Sequence, residues 1–171
     1  MSNNVYINGR SVEIERKYLI KMPDTEILKA QPGYSGSYIE QMYISGEGSF
    51  GGDRIRKREY PDGTRYFKTH KENINGISKF ETEEEISEEL YDKLSKQKLV
   101  NTRAIKKVRH CFEFRGQLIE IDIYEFWDDK ATLEVELQSE EQEVYLPGFI
   151  DVIEDVTGDN AYSNYSLSRF E

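Results

Sequence analysis

The feature that most limits how this chain can fold is a two-residue alternation of charged and apolar side chains running through most of its length. Successive side chains of a strand point to opposite faces, so this period marks half-buried strands, whereas a helix would repeat every 3.6 residues. Glu13, Glu15 and Lys17 share one face, against Val12, Ile14 and Tyr18. Arg54, Arg56 and Arg58 share another, as do Glu81, Glu83 and Glu85. Lys107 and Arg109 lie opposite Val108, His110 and Phe112. Glu120 and Asp122 oppose Ile119, Ile121 and Ile123, and Glu134 and Glu136 oppose Leu133, Val135 and Leu137. An antiparallel sheet often keeps one wet face, which is the ordinary home for such charges. Two features of the set argue for more. Five of the six stripes segregate by sign, the first being mixed, and like charges stand two residues apart on one face, which is tolerable when something of opposite charge sits between them. Carboxylate oxygens suit hard divalent cations, and Arg and Lys suit phosphate oxygens. A sheet closed with these faces inward would hold a polyanion together with metal ions.

Turn chemistry orders the strands. Strands are expected over Tyr38–Ile44, Arg54–Tyr60, Arg65–Lys71 and Lys79–Ile86, with Pro61-Asp62-Gly63 as a hairpin turn. A hairpin around Arg115-Gly116 joins Val108–Phe114 to Gln117–Phe126, and Thr132–Gln138 follows. Ser87 reads as the N-cap of a helix over Glu88–Lys98, with Leu90 and Leu94 one turn apart on its apolar side. Ser139-Glu140-Glu141-Gln142 has capping-box spacing for a short helix, and a second is expected after Pro147-Gly148, through Phe149 to Val156. The expected class is mainly β (α+β). The architecture is an eight-stranded antiparallel barrel with a charged lumen, flanking helices and a short helical C-terminal segment, all in one domain over residues 1–171. The glycine-rich stretch from Gly46 to Gly52 lacks the GK[ST] of a Walker loop and reads as a connection at a tunnel mouth.

Composition narrows the function. With 33 acids against 23 bases the formal net charge is −10, which repels phosphate backbones and anionic membranes. No nucleic-acid or membrane partner is expected. One cysteine excludes an intrachain disulfide and a cysteine-rich zinc site. No run approaches the roughly 20 apolar residues of a membrane helix, and the N-terminus has no basic-then-apolar leader, so the expected location is cytoplasmic. His70, His110 and Cys111 read as packing or surface residues.

Glu13-x-Glu15-x-Lys17 resembles the ExExK signature of the CYTH domain, in the triphosphate tunnel metalloenzyme superfamily. The likeness continues in order. Ile39–Tyr43 resembles the family's second strand, Arg54-Ile55-Arg56 its RxR and Thr69-His70-Lys71 its T-x-K. Glu81-x-Glu83-x-Glu85 resembles its acidic strand, Lys107-Val108-Arg109 its K-x-R, and Glu120-Ile121-Asp122 and Glu134-Val135-Glu136 its later acidic strands. Lys68 stands where the family usually has an apolar residue, but alternation groups Lys71 with Phe67 and Thr69, away from Lys68 and His70.

The resemblance implies a barrel-shaped tunnel that hydrolyses inorganic or organic triphosphates, or cyclises ATP, with Mg2+ or Mn2+. It implies Glu13, Glu15, Glu134 and Glu136 as metal ligands, with Asp122 supporting. Lys17, Arg54, Arg56, Lys71, Lys107 and Arg109 would hold the triphosphate, and Lys17 with Tyr43 would position the attacking water. Glu81, Glu83 and Glu85 read as charge partners of the bases, with a place close to the metal as the alternative. The expected function is a metal-dependent triphosphatase acting on tripolyphosphate or on nucleoside or thiamine triphosphates. An adenylate cyclase using the same tunnel, and a non-catalytic polyphosphate or nucleotide binder, are the alternatives. The expected partner is a small-molecule triphosphate, and the family's habit allows a homodimer.

Overall fold

The computed structural model describes residues 4–45 and 53–169. The Gly46–Gly52 connection therefore lies outside the described residues. The strands are β1 (Val5–Ile7), β2 (Arg10–Lys21), β3 (Ser35–Ile44), β4 (Asp53–Tyr60), β5 (Gly63–Asn73), β6 (Ser78–Ile86), β7 (Ile105–Phe114), β8 (Gln117–Tyr124), β9 (Lys130–Glu136) and β10 (Val152–Asp155). The helices are α1 (Thr25–Lys29), α2 (Glu88–Ser95) and α3 (Asn164–Ser168). Eight strands close into an antiparallel barrel in the order β2-β6-β5-β4-β3-β7-β8-β9, with β9 returning to β2. Closure removes the open edges that an eight-stranded sheet would otherwise expose.

β2 makes the closure possible by splitting each of its edges between two partners. One edge meets β6 over Val12–Ile14 and then β10 over Tyr18–Ile20. The other meets β1 over Arg10–Val12 and then β9 over Glu15–Lys21. The hairpin turns follow their residues. Arg115 and Gly116 take φ of 50° and 73°, the pair of positive angles that a two-residue turn between twisted strands needs. Asn75 caps the β5–β6 turn by accepting from the backbone N–H groups of Ile77 and Ser78.

The apolar reverse faces pack outside the barrel in two clusters. Ile20, Phe112, Ile119, Ile121, Leu133 and Val135 are fully buried beneath Leu28 of α1 and Ile150. Ile44 and Ile55 pack against Tyr91 of α2, with Met42, Tyr66, Ile86 and Leu94 around them. Ser87 caps α2 by accepting from the Leu90 N–H, but Leu90 itself is exposed. The face turned to the barrel is Tyr91 and Leu94, one turn apart at i and i+3, rather than Leu90 and Leu94.

Two further expectations are corrected. Ser139–Gln142 forms a turn, not a helix, and Glu140 instead accepts from Ser78 and Asn75 across the β5–β6 turn. The expected helix over Phe149–Val156 is the strand β10, because β6 leaves β2 after Ile14 and bares an edge that Val152–Asp155 fills. Behind β10, Gly158 takes φ of +75° and lies against Gly76, where a Cβ would come within 2.9 Å of the Gly76 carbonyl.

Candidate active site

Residues paired across an antiparallel ladder point to the same face, so the registers decide what the lumen contains. Lys71 pairs with Glu81, Thr69 with Glu83, and Arg54 with Thr69. Tyr43 pairs with Arg54 and Gln41 with Arg56. Arg109 pairs with Asp122, Glu120 with Glu134, Lys17 with Glu134 and Glu15 with Glu136. These residues, with Glu13 and Lys107 in the same alternation, share the inner face. The strand order sorts them by sign. Four consecutive strands, β8, β9, β2 and β6, carry the acids, with Lys17 the exception. The other four, β5, β4, β3 and β7, carry the bases, with β3 a neutral stretch of Ile39, Gln41 and Tyr43.

The bases are not equally partnered. On β7, Lys107 donates to Asp122 at 2.6 Å, and Arg109 donates to both Asp122 oxygens at 2.7 and 2.8 Å and to Glu120 at 2.6 Å. Burial alone would raise Asp122, but Arg109 and Lys107 override it and hold the carboxyl well below its usual range. Lys71 donates to Glu13 at 2.5 Å and pairs with Glu81 at 3.0 Å. Arg56 reaches one carboxylate, Glu83 at 2.8 Å, which also accepts from Thr69. Glu81 and Glu83 thus act as charge partners of bases. Arg54 has no carboxylate within ion-pair distance among the described residues, only a long contact to Thr69 at 3.4 Å. Burial, and then the Arg54 charge beside it, bring Arg56 down to about 10.

On the acid wall the carboxylates crowd one another. Burial, then Glu134 and Glu13, push Glu15 well above its ordinary value. Burial, then Glu120, push Glu136 up to about 8. Glu134 goes the other way, because Lys17 and Arg109 outweigh its burial. Lys17 pairs with Glu134 at 3.3 Å, which raises it despite burial. Tyr43 instead packs edge-on against Tyr165 of α3, with ring centroids 5.3 Å apart. No hydrogen bond joins Lys17 to Tyr43 among the described residues; the two strands lie four places apart around the ring.

One end of the lumen is crossed by the C-terminal segment. Asn164 accepts from the Tyr124 hydroxyl at 2.8 Å and lies 3.5 Å from the Lys107 ammonium. Glu120, Gln41, Tyr124, Asn164 and Tyr165 thus border the site without having been singled out from the sequence as site residues. Glu120 was legible from the stripe it shares with Asp122, and Gln41 from its parity with Tyr43. Nothing local marks Asn164 or Tyr165, whose places depend on where the tail lands.

The model of the CYTH domain matches residues 11–157. The chain belongs to the CYTH domain family. Its fold is similar to the crystal structure of the inorganic triphosphatase NE1496, at 27% identity and a TM-score of 0.55, covering 91% of this chain and 93% of that one. A conserved hypothetical protein from Pyrococcus furiosus shares the fold at 22% identity and a TM-score of 0.51, over 75% of this chain and 80% of that one. No curated protein matches the chain.

CYTH triphosphate tunnel enzymes use divalent metals, and the acid wall here has the donor chemistry for one. Its ligand atoms are hard carboxylate oxygens, brought together by the Glu15–Glu136 and Glu120–Glu134 cross-strand pairs. Glu13 and Glu134 are drawn to Lys71 and Lys17, so among the described residues no three acidic side chains already stand at ligand spacing. No helix is long and apolar enough to cross a membrane among the described residues.

Proposed function

We propose that this protein is a divalent-metal-dependent triphosphatase that hydrolyses inorganic tripolyphosphate, with Mg2+ or Mn2+ as its metal. The observation that carries this reading is the division of the lumen into a wall of acids and a wall of bases. A passive polyanion binder needs the bases; a continuous wall of buried carboxylates would only repel its ligand unless a cation came with it. The similarity to the inorganic triphosphatase NE1496 supports the choice of substrate.

Tripolyphosphate carries about four to five negative charges near neutral pH. Arg54, Arg56 and Lys71 would hold its oxygens from β4 and β5, and Lys17, Lys107 and Arg109 from the other side. Glu13, Glu15, Glu134 and Glu136 would hold the metal, which when bound neutralises phosphate oxygens and the developing charge of the leaving group. Asp122 belongs to the same set by position, and its bonds to Lys107 and Arg109 give it the work of orienting those two bases. Lys17 and Tyr43 face the lumen from opposite sides, so a substrate lying between them meets both. Water attacks a terminal phosphorus in line, the bridging P–O bond breaks, and phosphate and pyrophosphate leave. Positioning and charge neutralisation carry most of such a reaction.

The test is phosphate release from tripolyphosphate, ATP and thiamine triphosphate, with Mg2+, with Mn2+ and with chelator. Metal-dependent release that is fastest with tripolyphosphate is expected. Cyclic AMP and pyrophosphate from ATP would establish a cyclase instead, and no turnover of any triphosphate would leave a binding protein.

A further inference from the structure

Gln41 is fully buried on the neutral inner stretch of β3, yet neither its amide nitrogen nor its amide oxygen has a hydrogen-bond partner among the described residues. In the β3–β4 register it stands opposite Arg56, while Tyr43 stands opposite Arg54. The Nε atoms of both arginines are also buried without partners. Three unmet donors and one unmet acceptor therefore share one patch of wall. An unbonded buried amide destabilises a fold, and Leu or Met would fill the same volume without that cost. The neighbouring residues Ile39 and Ile105 are apolar and buried, so an apolar side chain would suit the packing at this position.

Unmet donors on the basic wall of the lumen fit an anion's oxygens. The unmet acceptor needs a donor: no arginine N–H reaches it among the described residues, an ionised phosphate has none to give, and a water has. A neutral amide beside two arginines can serve a phosphoryl group and a water at once. Resting on the triphosphatase reading above, we propose that Gln41 is a substrate-contacting residue of that site. Its amide nitrogen donates to a non-bridging oxygen of the phosphoryl group held by Arg54 and Arg56. Its amide oxygen accepts a hydrogen bond from the water beside that group.

The experiment compares wild-type protein with Gln41→Leu and Gln41→Glu. Two quantities are measured for each: kcat/KM for tripolyphosphate with Mg2+, and the melting temperature without substrate or metal. Gln41→Leu removes both hydrogen bonds and the unmet amide. Its melting temperature is expected to stay level or rise, while kcat/KM falls by about 10- to 100-fold, the loss of a hydrogen bond to a charged group. Gln41→Glu keeps the shape and the acceptor but replaces the donor by a charge of the substrate's own sign, so its kcat/KM falls further. Unchanged kcat/KM in Gln41→Leu overturns the proposal, and so does a fall in kcat/KM accompanied by a lowered melting temperature, which marks a packing role. Absence of tripolyphosphate turnover in the wild type would overturn the underlying triphosphatase reading, and is told apart from failure at Gln41 by that arm alone.

Discussion

Lys107 and Arg109 on β7 and Arg54 and Arg56 on β4 are basic pairs on the same inner face, two strands apart around the barrel. The first pair is neutralised in place: between them they make four hydrogen bonds to Asp122 and Glu120. Among the described residues the second pair reaches a single carboxylate, Glu83, and keeps buried nitrogens unbonded. Burial penalises both, so the difference lies in what stands opposite. β8 presents acids to β7, while β3 presents Gln41 and Tyr43 to β4. The β7 bases are held in place by their carboxylates, and the β4 bases keep hydrogen-bonding capacity unspent.

The sharpest way to break this contrast is Asp122→Ala. It leaves Lys107 and Arg109 buried with most of their compensation gone, and breaking a buried pair costs about 3–5 kcal/mol. Urea denaturation should show that loss, and a midpoint within experimental error of wild type would mean that the β7–β8 network holds nothing. Glu13→Ala comes next. Lys71 keeps Glu81, so the fold should survive, while Mg2+-dependent turnover falls by on the order of 100-fold or more. Unaltered turnover would remove Glu13 from the site. Arg54→Met sharpens the other side of the comparison: kcat/KM for tripolyphosphate should drop by about 10- to 100-fold, with the denaturation midpoint unchanged or higher. A drop in stability matching that of Asp122→Ala would show that Arg54 supports the barrel no less than Arg109 does.

The smallest effect is a pH slope. Glu136 is raised to about 8 in the folded chain, so the native state holds its proton between the ordinary carboxylate range and that value, while the unfolded chain has released it. Its contribution is complete below about pH 4.5 and is lost as pH rises through about 8. Metal-free protein should therefore lose stability across that window, Glu136→Gln should flatten the slope, and added Mg2+ should do the same. A metal-free profile that rises from pH 5 to 8 would contradict the crowding of the acid wall.

Much of the fold and the inner face is legible in the residues alone, for identifiable reasons. Glu15 alternates with Ile14 and Arg56 with Ile55, and a strand has only two faces, so parity sorted the residues into two sets, and the likeness to the CYTH motifs placed Lys71 rather than Lys68 in the inner one. Local signals failed where tertiary context chose between alternatives. The capping-box spacing of Ser139–Gln142 lost to the bonds that Glu140 makes across the β5–β6 turn. The segment after Pro147 had helix-like punctuation, but the bare edge of β2 drew Val152–Asp155 into the sheet. Leu90 and Leu94 had the right spacing for a helix face, yet the angle at which α2 docks buries Tyr91 instead of Leu90.

Strands with one ionic and one apolar face follow from local pattern, because side-chain period and backbone pleat are local properties. Which stripes became neighbours depends on how the barrel closes. Barrel order is not chain order: β2 closes between β6 and β9, and β3 lies between β4 and β7. Charge interactions depend on distance across the lumen rather than along the chain. That is why Lys17 meets Glu134 and Lys71 meets Glu13, partners far away along the chain.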